Sequence, residues 1–218
     1  MIFKDGEIGK EVKNINPYLV DAPNVVVKRR SSRAHKELDL VWGNKPVDGG
    51  FLIIEANEIE EFLQKEPGAE KYVRKLTGAK EYINRLDRYC LWLVGASPLE
   101  LRKLPLVMER VQNVRKFRLA SPKVPTNKYA EFPTLFMEIR QTDFNYIIIP
   151  STSSEKRHYI PIGFMSAEYI CNNSVHMLPN ATLYHFGVLT SSMHMAWMRT
   201  VAGRLEMRYR YSKDVVYN

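Results

Sequence analysis

The residues best suited to specific chemistry lie near the carboxyl end, where Arg204 to Tyr211 alternates charged and apolar side chains. On a strand, Arg204, Glu206, Arg208 and Arg210 would share one face, with Leu205, Met207, Tyr209 and Tyr211 on the other. Same-face neighbours are then about 7 Å apart. Arginine forks match the O6 and N7 acceptors of guanine, and a carboxylate accepts from the cytosine amine. The same spacing serves equally well for a cross-strand ion-pair ladder on an exposed sheet. A second basic group comprises Arg102, Lys103, Arg110, Arg115, Lys116, Arg118 and Lys123, opposed after Glu100 only by Glu109. On a helix these charges spread over more than one face. They suit either phosphate contact or a solvated surface, and phosphate contacts position a protein without reading sequence.

Bond-making chemistry is harder to find. No GxG turn that could hold a cofactor occurs, nor any GxSxG or GxxxxGK[ST]. The five histidines are scattered without metal-ligand spacing and read as structural. Asn16-Pro17-Tyr18 approaches the NPPY loop that receives a flipped base in amino-group DNA methyltransferases, but one proline is missing and no cofactor-binding half precedes it. Glu11-Val12-Lys13 matches the end of a PD…ExK nuclease site without the strands that should come before it. No catalytic residue, cofactor or metal set is therefore expected within this chain.

The bulk numbers point to a polyanionic partner. Lysines and arginines number 32 against 24 acids, a net charge of +8, and 45% of the 218 residues are hydrophobic, enough for a core. Nucleic acid comes first among such partners and an acidic membrane second. No apolar run approaches the ~20 residues that span a bilayer, and the start, Met1-Ile2-Phe3-Lys4-Asp5, lacks a signal-peptide core. Cys90 and Cys171 sit among apolar or aromatic neighbours and read as buried free thiols in a reducing cytoplasm. The chain stops abruptly after the strand-like Asp214-Val215-Val216-Tyr217-Asn218, as expected of a piece cut from something longer.

The elements that must position these residues form an α+β pattern: a mixed, partly antiparallel twisted sheet with a helical insert around 55–120. Residues 1–21 read as a polar linker and 22–218 as the folded unit, with a possible subdivision near 122–133, where Pro122 and Pro125 end the helical zone. Strands are expected at Val25–Val27, Phe51–Ile54, Tyr89–Leu93, Leu135–Ile139, Tyr146–Ile149, Tyr159–Ile162 and Thr182–Phe186. Ile59, Phe62 and Leu63 recur at helical spacing. Further helices start at Ser97-Pro98 and at Pro105, the latter with Val107, Val111, Val114 and Leu119 among its apolar positions. A last helix, capped by Thr190 or Ser191, should put Met193, Trp197 and Val201 on one face and stop at Gly203. Gly43-Asn44-Lys45-Pro46-Val47-Asp48-Gly49-Gly50 must be a shaped loop.

Several of these segments, in order, resemble the target-recognition domain of MmeI-type restriction–modification enzymes. They are Asn16-Pro17-Tyr18-Leu19-Val20-Asp21, the 43–50 loop, Arg115-Lys116-Phe117-Arg118, Tyr159-Ile160-Pro161-Ile162-Gly163-Phe164, residues 179–187, Met193-His194-Met195-Ala196-Trp197, and the tail from Gly203 to Ser212. The resemblance runs from about residue 14 to the end. It implies double-stranded DNA as partner, and a parent polypeptide with an endonuclease and an adenine-specific methyltransferase upstream. That parent would use S-adenosylmethionine and Mg2+, while this part needs no cofactor. It implies Glu206, Arg208, Arg210, Asn173 and Ser174 as base readers, with the 43–50 loop and the 193–197 helix as scaffold. Arg115, Lys116, Arg118 and Lys123 are the expected phosphate contacts, and the parent's methyltransferase domain a second partner. The competing expectation is a protein-assembly domain whose arginine-rich sheet face is structural.

Overall fold

The computed structural model describes residues 9, 11–32 and 38–218. Of the expected linker 1–21, residues 1–8 and 10 lie outside the described ones. The fold is built on two main hydrophobic clusters joined by a smaller third. The first half of the chain comprises β1 (Val41–Trp42), β2 (Ile53–Glu55), α1 (Ile59–Lys65), β3 (Val73–Thr77), α2 (Ala79–Asn84), β4 (Arg88–Leu91), α3 (Pro98–Leu101), α4 (Pro105–Leu119) and α5 (Val124–Lys128), of which β2, α1, β3, β4, α3 and α4 supply the first cluster. β4 lies antiparallel between β2 and β3. Val107, Val111 and Val114 recur at i, i+4 and i+7, and pack with Leu52, Ile54 and Leu91. Pro98 and Pro105 open their helices where a missing N–H costs nothing. Ser97 occupies the cap position of α3, but only its backbone carbonyl is used. The next free donors of α4, the N–H groups of Leu106 and Val107, both go to the buried carboxylate of Glu66, 40 residues away in sequence.

The second half comprises β5 (Tyr146–Pro150), β6 (Thr152–Ser153), β7 (Gly163–Met165), β8 (Ile170–Cys171), β9 (Val175–Pro179), α6 (Leu183–Leu189), α7 (Ser192–Val201), β10 (Gly203–Leu205) and β11 (Arg208–Arg210). One antiparallel sheet runs β1-β9-β5-β7, a small one runs β10-β11-β6, and β8 extends the first-half sheet by pairing parallel with β3. β5 is buried throughout because both faces are covered. Ile147 and Ile149 face the second cluster, while Tyr146 and Ile148 face the small cluster with Cys171 and Met177. Both cysteines are buried free thiols, and burial pushes each up to about 12.

Several expectations are corrected. Thr182–Phe186 is not a strand: Thr182 and His185 form a capping box that starts α6. Val25–Val27 pairs with no strand among the described residues, and Val25 and Val26 are exposed. The 135–139 segment contributes a single bridge, Lys45 to Glu138, and 159–162 is a loop that buries Ile160 and Ile162 ahead of β7. Ser191 does cap α7, accepting from His194 N–H at 3.1 Å. However, α7 buries Met195, Met198 and Val201, and leaves Met193 and Trp197 outward. Gly203 is no left-handed stop but the first residue of β10.

Arg118 is also corrected: it is fully buried and cannot touch phosphate. Its five N–H groups meet five backbone carbonyls. Nε donates to Val47 at 2.9 Å, Nη1 to Phe132 and Tyr129, and Nη2 to Pro46 and Leu135 at 2.9 and 2.7 Å. Burial pulls its pKa down, and the nearby charge of Asp48 works against that. One guanidinium thus pins the end of α4, the 43–50 loop and the 129–135 segment together. The loop needs this help, since Val47 has φ 47 and Gly49 and Gly50 follow at 69 and 86. Arg118→Lys keeps the charge but has too few donors for five acceptors, so it should destabilise the fold by about 3 kcal/mol or more. Urea unfolding checks this, and a loss below about 1 kcal/mol would contradict the role given to Arg118.

Candidate nucleic-acid interface

Arg204 to Tyr211 is a hairpin, not the single alternating strand expected. β10 and β11 pair Gly203 with Arg210, Arg204 with Tyr209 and Leu205 with Arg208. Glu206 and Met207 make the turn, Glu206 at φ 57. Arg204 therefore leaves the face that carries Arg208 and Arg210: its guanidinium lies 3.9 Å from the Tyr209 ring centre and donates to the Met207 carbonyl. Tyr209 is buried beneath it, while Arg208 and Arg210 point outward. A cross-strand ladder would need acids opposite them. Their pairing partners are Leu205, Gly203 and, from β6, Thr152. Arg208 does bond Glu206 at 2.7 Å, but both side chains are well exposed and such a pair is worth only ~0.2–1 kcal/mol. The Arg210 side chain makes no hydrogen bond or ion pair among the described residues.

The second expected locus is the β8–β9 turn, and the structure brings it against the hairpin. The Ser174 carbonyl accepts from both the N–H and the hydroxyl of Ser151. The Ser151 carbonyl accepts from Tyr211 N–H at 2.9 Å, and the adjacent Thr152 pairs with Arg210. A single residue thus joins the two loci. The turn is clamped from behind by Gly43 N–H on Val175 and Asn44 N–H on Cys171. The buried Asn44 side chain also donates to the Cys171 carbonyl. A Cβ at Gly43 would come 2.0 Å from the Asn172 carbonyl oxygen, so only glycine permits this approach. Asn173 is exposed and makes no hydrogen bond among the described residues. Ser174 is more committed. Its hydroxyl donates to Asn172 and accepts from Ala79 N–H, leaving one lone pair.

The other basic group is divided. Arg115, Lys116 and Lys123 are exposed on α4 and the turn after it, on the first cluster. Arg110 is structural, donating to the Phe51 and Ile53 carbonyls beneath its stack on Phe62. Lys156 and Arg157 escaped the sequence reading. They are exposed in the loop after β6, which the Tyr209–Ser153 register directs toward the hairpin turn. A two-residue strand leaves almost no signal from which to infer that placement. The Asn16-Pro17-Tyr18 segment is a local turn. The buried Asn16 carbonyl oxygen of the side chain accepts from Tyr18 and Val20 N–H, and the Tyr18 hydroxyl accepts from Val27 N–H. Among the described residues no three His, Cys, Asp or Glu side chains gather as a metal site.

Comparison with known proteins gives consistent results. The family model described as MmeI, target recognition domain, matches residues 21–218. DNA methyltransferase A of Bacillus subtilis (strain 168) is 39% identical over 217 residues, covering 100% of this chain and 25% of that protein. A solved structure of the Type IIL restriction-modification enzyme MmeI in complex with DNA is 45% identical, with a TM-score of 0.92 over 95% of this chain and 28% of that one. The chain thus spans about a quarter of the length of these relatives.

The base of the hairpin rests on a buried column. His176 Nε2 lies 3.4 Å from the Tyr211 carbonyl oxygen, and the Tyr211 hydroxyl lies 3.0 Å from His194 Nε2. Burial pushes His176 down to about 4 and lowers His194 as well. An unfolded histidine titrates near 6.5, so below that pH the unfolded chain takes up a proton that folded His176 refuses. Stability is therefore full above neutrality and falls as pH drops toward 4. Between pH 7 and 5, a window above the carboxylates, His176 alone should cost about 2 kcal/mol. His176→Gln should remove most of that slope in urea titrations, whatever it does to stability at pH 7. An unchanged slope would assign the pH response to other groups.

Proposed function

The chain belongs to the MmeI target recognition domain family, and on that premise we propose that it reads base edges of double-stranded DNA for a longer polypeptide. That parent is an adenine-specific DNA methyltransferase of a restriction–modification system, with a fused endonuclease. The observation that carries this reading is the meeting of the outward Arg208–Arg210 edge with the Asn173 turn across Ser151. Two short protrusions side by side suit a major groove, where donors and acceptors distinguish all four base pairs. Arg208 and Arg210 are the guanine-matching forks, Glu206 an acceptor for a cytosine amine, and Asn173 a donor and acceptor for adenine. Ser174 shapes the turn and offers one acceptor lone pair. Binding DNA replaces the weak Glu206–Arg208 pair with contacts to bases, at little cost.

Phosphate contact falls to Arg115, Lys116 and Lys123, without Arg118. S-adenosylmethionine supplies the methyl group to the parent's methyltransferase part, and Mg2+ serves its nuclease. This chain's own residues set the register that presents one adenine for flipping. No helix among the described residues is long and apolar enough to cross a membrane, and a cytoplasmic setting follows from the proposed work on chromosomal DNA. The assembly-domain alternative is less well supported, because the arginines face outward without acids opposite them.

In the parent, Arg208→Ala should cost ~1–3 kcal/mol against the preferred base and relax choice at one position. Lys123→Ala should weaken all duplexes alike and reduce the salt slope by about 1. Anisotropy titrations over a duplex panel at several salt concentrations separate the two. If Arg208→Ala weakens every sequence equally, Arg208 is a phosphate contact.

A further inference from the structure

Charge is absent from one long stretch. The 30 residues 169–198 contain no Asp, Glu, Lys or Arg, in a chain that is 26% charged. Burial explains the first part, since β8 and β9 are buried strands. It does not explain α6 and the start of α7. Leu183 and Tyr184 are 77% and 68% exposed, Val188 is 47% exposed and Met193 is 82% exposed. Leu183, Tyr184, Gly187 and Val188 fall on one helix face by their i, i+1, i+4, i+5 spacing, and a Cβ at Gly187 would meet only open space. Two further exposed aromatics extend the patch. Phe164 stacks 5.6 Å from Phe186, and Phe144 adjoins Asn145, whose carbonyl accepts from Asn180 N–H.

We propose that this uncharged face is where the parent's catalytic part packs permanently against the recognition domain. The proposal rests on the reading above, that a longer parent exists. A stretch that supplies no cation of its own is poorly suited to phosphate, which makes DNA the weaker occupant. Depletion of charge with enrichment in aromatics and methionine marks the centre of a lasting protein interface. The matched region is 28% of the DNA-bound structure's chain, so most of that polypeptide lies outside it. A tethered domain outcompetes a second copy through its effective concentration. The placement is also mechanically apt. β9 runs five residues, roughly 17 Å, from the reading turn to Pro179, so the anchor and the reading turn occupy opposite ends of one buried strand.

Two exposed methionines report the two surfaces. Met193 lies on the proposed interface and Met207 at the hairpin turn, 69% exposed. Peroxide oxidation, read peptide by peptide by mass spectrometry, is compared in three samples: this chain alone, the parent, and the parent with a duplex carrying its methylation site. Met193 should oxidise about tenfold more slowly in the parent than in the isolated chain, at every protein concentration and without DNA. Met207 should be protected only when duplex is added. Equal Met193 rates in chain and parent overturn the proposal. So does protection of Met193 that grows with the concentration of the isolated chain, which marks a second copy, or that needs duplex, which marks DNA. A Met207 indifferent to duplex would instead sink the base-reading proposal and leave the Met193 result standing.

Discussion

The backbone of the β8–β9 turn can be polar, tight and partly buried only because separate segments satisfy it. Gly43 and Asn44 bond its flanks, Ala79 bonds the Ser174 hydroxyl, and Ser151 bonds the Ser174 carbonyl. An unmet donor or acceptor here would cost about 1–3 kcal/mol each. The turn is therefore fixed by residues from three other parts of the chain. Arg118 belongs to the same chain of constraint. It holds Pro46 and Val47, two and three residues beyond the Asn44 that clamps the turn. Ser151 passes the constraint on to Tyr211 and so to the base of the hairpin.

This arrangement separates rigidity from chemistry. The groups that hold the two protrusions are largely buried and mostly bonded, whereas the side chains of Arg208, Arg210 and Asn173 stand on them largely uncommitted. Side chains on a fixed base lose less freedom on meeting a base edge than side chains on a loose loop. On the proposed reading, specificity can then change by substitution at the exposed positions without disturbing the clamp. The buried His176–Tyr211–His194 column serves the same end, since neutral rings packed beneath the hairpin leave its positive charge on the outer face.

Much of the fold was legible in the sequence. Periodicity gave α1, α4 and the buried runs of β4 and β5, and proline placed the helix starts. The misreadings have physical causes. Thr182–Phe186 has the β-branched and aromatic composition of a strand, but the Thr182–His185 capping box decides for helix. The alternation from Arg204 to Tyr211 is real on both arms, but nothing in it signals a reversal at Glu206, where no glycine or asparagine marks the turn. Arg118 looked like its neighbours Arg115 and Lys116, because burial of an arginine depends on carbonyls contributed by distant loops. Glu206, Arg208 and Arg210 stood out by their spacing, which served a groove reader and an ion-pair ladder equally well, whereas Asn173 and Ser174 came only with the family resemblance. Its contiguity rests on the two-residue strand β6, which no pattern in the sequence reveals.

The central claim is that a guanidinium of the β11 edge meets a base rather than the backbone. Replacing guanine N7 by carbon, one guanine at a time, in the parent's site tests it most directly when combined with Arg210→Ala. If Arg210 reads a guanine, one such replacement weakens the unaltered protein by about 1–3 kcal/mol and has almost no further effect on the variant. Additive losses at every guanine would contradict the account.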